Sequence, residues 1–337
     1  MSNKKRLISI SFVAIAVATT IFLWNSFSAE ADAAIIRFDG LTRYDTAVKT
    51  STNGWKNGSN TVIIVSGKDY PDALSAAPLA KKYNAPILLS EVGGLNNQTI
   101  QELGRLKAKN AYIVGGTSAV PSNVEGQLKS LGINSTRLSG YDRYETAVKV
   151  AEIVGTSNGI VLASGTSFAD ALSIAPIAAA NGMPILLTLP NKLSNYNKAF
   201  ITSKNIGVTY VIGGDTVIAG ANVNNYPNPV RLGGLNRYET NTYVLQYFAK
   251  NINYDKMYLA SGLNFPDGLV GAPIAALTQS PIILINDNSS CMEQINSKLT
   301  GVNPSELYVL GGQTVLSDSL VNKIAYSIKE FKVISIE

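Results

Sequence analysis

The chain has 337 residues, 46% hydrophobic and 15% charged, a balance too apolar for a disordered chain and a length that suits two or three domains. Its 28 Lys and Arg against 23 Asp and Glu leave a net charge of +5, too small to name a partner. Histidine is absent and Cys291 is the single cysteine, which excludes Ser-His-Asp and Cys-His catalysis, His-ligated zinc and an intrachain disulfide; the lone thiol reads as a packing residue.

Taken in chain order, Lys4-Lys5-Arg6, an apolar run from Leu7 to Leu23, and the small-residue sites Ala29-Glu-Ala31 and Ala31-Asp-Ala33 follow the pattern of a cleaved secretory signal, expected over residues 1–33. The shortness of the run and its Ser and Thr content disfavour an uncleaved anchor, and no later stretch is apolar for long enough to span a bilayer. Cleavage after Ala31 removes Lys4, Lys5, Arg6 and Glu30, so the mature chain stays weakly basic.

Ile35 to Phe38 reads as a short strand entering a stretch that occurs three times: Arg37-Phe-Asp-Gly-Leu-Thr-Arg43-Tyr-Asp-Thr46, Arg137-Leu-Ser-Gly-Tyr-Asp-Arg143-Tyr-Glu-Thr146 and Arg231-Leu-Gly-Gly-Leu-Asn-Arg237-Tyr-Glu-Thr240. Thr42, Asp142 and Asn236 precede Asp45, Glu145 and Glu239 by three residues, the capping-box spacing, so a helix is expected to start here in each copy. Apolar runs follow at 61–65, 159–163 and 256–260, each ending in Ser-Gly, and read as buried parallel strands. Asp72, Asp170 and Asp267 then precede Ala-rich helices, where a carboxylate suits the exposed amides and the positive end of the dipole. Pro78, Pro176 and Pro273 lie deep enough in those helices to kink or restart them.

A second strand begins after Pro86, Pro184 and Pro281. A helix from about Asn97 to Lys107, a strand from Ala111 to Val114 ending at Gly115-Gly116, and a further helix from about Ser122 complete the unit. The last residues, Phe331 to Glu337, alternate like an edge strand, and nothing remains for a separate effector domain. The repeat distance is 98 positions from Ser66 to Ser164 and 97 from Ser164 to Ser261, so each copy is domain-sized. Units are expected at 34–134, 135–228 and 229–337. Alternating strands and helices indicate an α/β fold of three tandem repeats with mainly parallel sheets. A linear row and a closed ring would both pair the copies, and the ring is preferred because it leaves no face unpaired.

Candidate chemistry is sparse. The Gly-Gly pairs at 115, 213 and 311 do not extend into a dinucleotide or phosphate-loop motif and read as tight turns. Arg43, Arg143 and Arg237 fall in a first helical turn, where a cation opposes the dipole and needs compensation. One candidate is an internal carboxylate, with Asp72, Asp170 and Asp267 forming buried pairs that lock each copy; the other is an anionic ligand held by guanidinium forks. Arg37, Arg137 and Arg231, at strand ends, carry the same alternatives. Tyr44, Tyr144 and Tyr238 read as half-buried packing. No metal site, cofactor or nucleic-acid partner is expected, nor contact with the membrane after signal cleavage.

The four ordered blocks, Arg-x-x-Gly-x-x-Arg-Tyr-Asp/Glu-Thr, Ser-Gly-x-x-Phe/Tyr-Pro-Asp-Ala-Leu, Pro-Ile-Leu-Leu and Val/Ile-Gly-Gly, resemble the type 2 cell wall binding repeat of Gram-positive bacteria from Arg37 onward. The resemblance implies a pseudo-trimer of α/β units that holds an exported protein non-covalently on the wall by binding an anionic secondary polymer attached to peptidoglycan. It places the protein at the cell surface, in a setting that often includes surface-layer proteins. Ala169, Asn241, Gly268 and Ile285 depart from the pattern, so the third repeat is the least regular. The rival readings are an exported wall-modifying enzyme using carboxylate acid/base chemistry and a subunit of a surface lattice.

Overall fold

The computed structural model describes residues 33–299 and 301–329. The expected signal, apart from Ala33, and the edge strand expected over 331–337 lie outside them. Ala33 onward forms one compact unit containing three four-stranded sheets, all of whose strand pairs are parallel.

The first repeat contributes β1 (Ala34–Phe38), α1 (Arg43–Gly54), β2 (Thr61–Ser66), α2 (Ala76–Lys82), β3 (Ile87–Ser90), α3 (Asn97–Leu106), β4 (Asn110–Val114) and α4 (Asn123–Ser130). The second gives β5 (Asn134–Leu138), α5 (Arg143–Val154), β6 (Ile160–Ser164), α6 (Ala169–Ala180), β7 (Ile185–Thr188), α7 (Asn195–Thr202), β8 (Thr209–Ile212) and α8 (Gly220–Val223). The third gives β9 (Pro229–Leu232), α9 (Arg237–Tyr247), β10 (Lys256–Ser261), α10 (Pro266–Leu277), β11 (Ile282–Ile285), α11 (Ser289–Lys298), β12 (Glu306–Leu310) and α12 (Asp318–Ile328).

The sheet orders are β3-β2-β4-β5, β7-β6-β8-β9 and β11-β10-β12-β1. Each sheet therefore takes three strands from one repeat and its fourth from the next, and β1 completes the sheet of the third repeat, with Ala34 opposite Glu306 and Phe38 opposite Leu310. The three copies close into a ring, an intramolecular pseudo-trimer. Helices cover both faces, which is why β2, β6 and the β10 segment after Lys256 are buried throughout.

The Ala-rich helices α2, α6 and α10 pack against one another, and each also meets the first helix of the next repeat: α2 meets α5, α6 meets α9, and α10 meets α1. Small residues set that approach. A Cβ at Gly268, where the other copies have alanine, would lie 3.3 Å from Leu172 and 3.4 Å from Ala260, so the departure from the pattern reflects tight packing. Asn241 is a second compensated departure: its buried amide donates to the Ile282 carbonyl and accepts from Leu284 N–H, both at 3.0 Å, pairing backbone groups of edge strand β11.

The expected helix starts are present. Thr42 and Asp45 form a reciprocal capping box, and Asp142 and Asn236 accept from the backbone amides two and three residues on. The prolines act differently between copies. In the first repeat a 3₁₀ turn (Asp72–Ser75) precedes the restarted α2, whereas α6 and α10 run through Pro176 and Pro273. The side chain of Ser75 bonds the carbonyl three residues back, and that of Ser173 the one four back, matching the local helix type.

Candidate functional site

The repeated motifs converge at the carboxyl ends of the strands, where parallel sheets place their sites. At the Ser-Gly that ends each central strand, the Gly67 carbonyl accepts from Arg43 Nη1 at 2.7 Å, the Gly165 carbonyl from Arg143 at 2.6 Å, and the Gly262 carbonyl from Arg237. The rings of Tyr44, Tyr144 and Tyr238 lie across the same glycines. A Cβ there would come within 2.4 to 2.6 Å of the ring, which explains the Ser-Gly and confirms the tyrosines as packing residues.

The cation in each first turn is thus drawn onto a carbonyl, and it also meets the preceding copy. Arg43 lies over the ring of Phe265, 5.8 Å from its centroid, and Arg237 over Phe168 at 5.5 Å. Tyr70, Phe168 and Phe265, equivalent residues of the three repeats, cluster together with centroids 5.5 to 6.3 Å apart. Sequence reasoning did not single out this cluster, although its position is aromatic in all three copies.

The carboxylates are arranged otherwise than the sequence led us to expect. Phe168 and Phe265 occupy the N-caps of α6 and α10, and Asp170 and Asp267 fall one residue inside the helix; like Asp72, at the start of its 3₁₀ turn, they make no capping bond to their own element. They face the next copy: Asp72 acts on Arg143 and Thr146, Asp170 on Arg237 and Thr240, Asp267 on Arg43 and Thr46. The expected Arg-Asp partnership therefore crosses each junction instead of locking a single copy. It operates through charge and the threonine hydroxyl, with no direct ion pair between these residues among those described. Burial pushes all three carboxyl groups up, against the pull of the arginines and threonines, and takes Asp170 to about 6.

The Gly-Gly turns are part of the same junction. Gly115, Gly213 and Gly311 have φ of 124°, 118° and 108°, and a Cβ on any of them would meet the junction aspartate at 2.7 to 3.1 Å. The carbonyls of these glycines accept from Arg137, Arg231 and Arg37 respectively, at 2.7 to 2.8 Å. Arg137 adds a fork to Glu125 at 2.6 Å and a bond to the Val120 carbonyl. Arg37 pairs with Asp318 at 2.8 Å, and Arg231 with Asp215 at 3.1 Å and the Ile218 carbonyl. The strand-end arginines thus fasten the borrowed fourth strand to its sheet.

A crevice of about 600 Å³ opens between the first and second repeats, beyond the carboxyl ends of the paired strands β2 and β4. Ser66, Lys68, Asp72, Thr117, Tyr141 and Arg143 are among its lining residues, and Asp69 and Asp142 add two further carboxylates. Among the described residues there is no cluster of metal-ligating side chains and no helix long and apolar enough to cross a membrane.

The profile of the Cell wall binding domain 2 family matches three blocks, residues 37–125, 137–223 and 231–321. The chain belongs to this family. As a Cell wall binding domain 2 protein it is 37% identical over 300 residues to N-acetylmuramoyl-L-alanine amidase LytC of Bacillus subtilis, covering 88% of this chain and 59% of LytC. It is 34% identical over 257 residues to the amidase enhancer of the same organism, covering 75% of this chain and 35% of the enhancer. Among solved structures, Cwp6 from Clostridium difficile superposes with a TM-score of 0.81 at 29% identity, over 90% of this chain and 50% of Cwp6. The chain thus spans between about a third and three fifths of these relatives. Membership supports binding to a cell wall component and a place at the cell surface or wall.

Proposed function

We propose that the protein attaches non-covalently to the Gram-positive wall by binding an anionic secondary polymer through its three junctions. The observation that carries this reading is the contrast within the repeated stretch. Arg43, Arg143 and Arg237 each give one guanidinium donor to a glycine carbonyl, with no carboxylate bond among the described residues, whereas Arg37, Arg137 and Arg231 are each tied to a carbonyl and a carboxylate. The first set has donors left for phosphate or carboxylate groups. Three such sites on one rigid ring raise effective concentration along a repeating polymer, so weak single contacts suffice. Asp72, Asp170 and Asp267 hold the junctions that present them. In domain terms we propose a leader over 1–33 and binding repeats over 34–134, 135–228 and 229–337.

The test is co-sedimentation of the purified protein with peptidoglycan sacculi that retain their anionic polymer or have been chemically stripped of it. Retention on intact sacculi alone supports the reading, equal retention on both redirects it to peptidoglycan, and retention on neither ends it. A wall-modifying enzyme draws on one observation, the crevice that brings Asp69 beside Asp72, whose carboxyl burial pushes up. Release of soluble wall fragments, abolished by Asp72→Asn, would establish that activity.

A further inference from the structure

The three junctions share one plan but are not lined alike, and the differences fall on side chains that the fold leaves outside its core. At the residue before each helix N-cap, Leu41, Tyr141 and Leu235 are 101%, 92% and 96% exposed. One exposed apolar side chain is ordinary, but three at the same repeat position call for a cause other than packing. Their backbone is fixed: the Tyr141 N–H donates to the Glu145 carboxylate at 2.6 Å and the Leu235 N–H to Glu239 at 2.7 Å. Tyr141 and Leu235 are therefore displayed from fixed turns, and in the first repeat the Asp45 carboxylate instead holds the Thr42 N–H that follows Leu41.

Only between the first and second repeats is this residue aromatic, and there it lines the 600 Å³ crevice together with Val92, itself 67% exposed. Tyr196 of α7 lies within electrostatic reach of Tyr141. The other copies have Gln98 and Ser290 at that position. Among the lining residues, Lys68 is replaced by Thr166 and Leu263 in the other repeats. The polar lining is of mixed sign, with Asp69, Asp72 and Asp142 alongside Lys68 and Arg143. Beyond the anionic group that Arg143 can hold, the crevice is lined by more carboxylates than cations. A sugar ring suits it, because hydroxyl groups both accept from guanidinium or ammonium and donate to carboxylate.

We infer that the crevice between the first and second repeats is the main sugar-binding subsite of the ring, with Tyr141 as the face on which a pyranose of the wall polymer stacks. This rests on the polymer-binding reading and refines it: the three junctions are unequal, one adding a stacking contact to the charge contacts that all share. Tyrosine suits the task, being a rigid amphipathic ring that loses little conformational entropy on contact. Stacking of an uncharged sugar face is insensitive to salt, whereas guanidinium contacts are screened.

The test measures binding of the purified protein to sacculi carrying their anionic polymer, at low and high salt. The variants are Tyr141→Ala, Tyr141→Trp and the double variant Leu41→Ala/Leu235→Ala. Thermal melts confirm that each stays folded. Tyr141→Ala should weaken binding about tenfold, equivalent to about 1.4 kcal/mol, by the same factor at both salt concentrations. Tyr141→Trp should retain binding and change its fluorescence when soluble fragments of the polymer are added, and the double leucine variant should lose much less than Tyr141→Ala. Wild-type binding by Tyr141→Ala, or an equal loss in the double leucine variant, overturns the inference while leaving the polymer reading intact. Failure of the wild type to bind the sacculi overturns both.

Discussion

Each repeat carries two arginines six positions apart, and the ring uses them in opposite ways. Arg37, Arg137 and Arg231 point their forks into the preceding sheet, where carbonyl and carboxylate acceptors meet them; their side chains are 14%, 14% and 25% exposed. Arg43, Arg143 and Arg237 stand at helix starts, held by one carbonyl apiece and, for Arg43 and Arg237, by an aromatic ring from the copy before. The first set joins one repeat to the next, and the second set has no carboxylate bond among the described residues. The same residue type thus serves cohesion or, as we propose, recognition according to how many of its donors the fold has already satisfied.

The comparison can be broken at its foundation by deleting β1. Without residues 34–38 the sheet of the third repeat loses its fourth strand and the Arg37 clasp, so the chain should melt far below the intact protein or self-associate through the bared edge; calorimetry and size-exclusion chromatography would show it. A smaller effect is expected from the junction carboxylates. The native carboxyl of Asp170 titrates at about 6, above its ordinary value of 3.8, so the folded state holds this proton more tightly than the unfolded one. The stability this contributes is complete below about pH 4 and is lost as pH rises through 6, a change on the order of 3 kcal/mol. Urea midpoints of wild type and Asp170→Asn, compared at pH 4.5 and 7.5, should diverge in that direction, and identical pH profiles would remove Asp170 as the titrating group.

Smaller again, Arg137→Ala removes a fork and two carbonyl bonds and should cost about 2 kcal/mol in chemical denaturation, while the folded fraction still binds sacculi. The mirror experiment, alanine at Arg43, Arg143 and Arg237 together, should cost less than about 1 kcal/mol per site in stability. Wall retention should fall sharply and lose most of its salt dependence. If the stability losses of the two sets came out reversed, the division of labour argued from their donors would be wrong.

Much of this architecture was legible in the chain. The capping pairs Thr42/Asp45, Asp142/Glu145 and Asn236/Glu239 mark helix starts because capping is a local interaction read over four residues. Apolar runs closed by Ser-Gly mark buried parallel strands for the same reason. What the chain did not reveal is partner choice across the ring. Nothing local to Ile35 or Ile36 says that they pair with Leu307 and Tyr308, because such pairing is fixed only when three copies close on one another. The aspartates were legible only in part: a carboxylate at a helix start looks like a cap or a partner for the arginine of its own copy, and only the neighbouring copy reveals that Asp72 faces Arg143 and Thr146. The exposed tips at Leu41, Tyr141 and Leu235 escaped notice because apolar residues in a repeated motif are read as core.

Closure by β1 has a bearing on how the protein comes to be folded at all. β1 pairs with β12, roughly 270 positions downstream. A chain crossing a membrane amino end first must therefore hold β1 in waiting until nearly all of the sequence has emerged. Chains that stall or are clipped just before Glu306 cannot seal the circle; they leave β1 unpaired and bare the β10 edge of the third repeat's sheet, open to proteolysis and self-pairing. The ring in this way acts as a completeness check, since β1 finds its partner only on a chain delivered through β12.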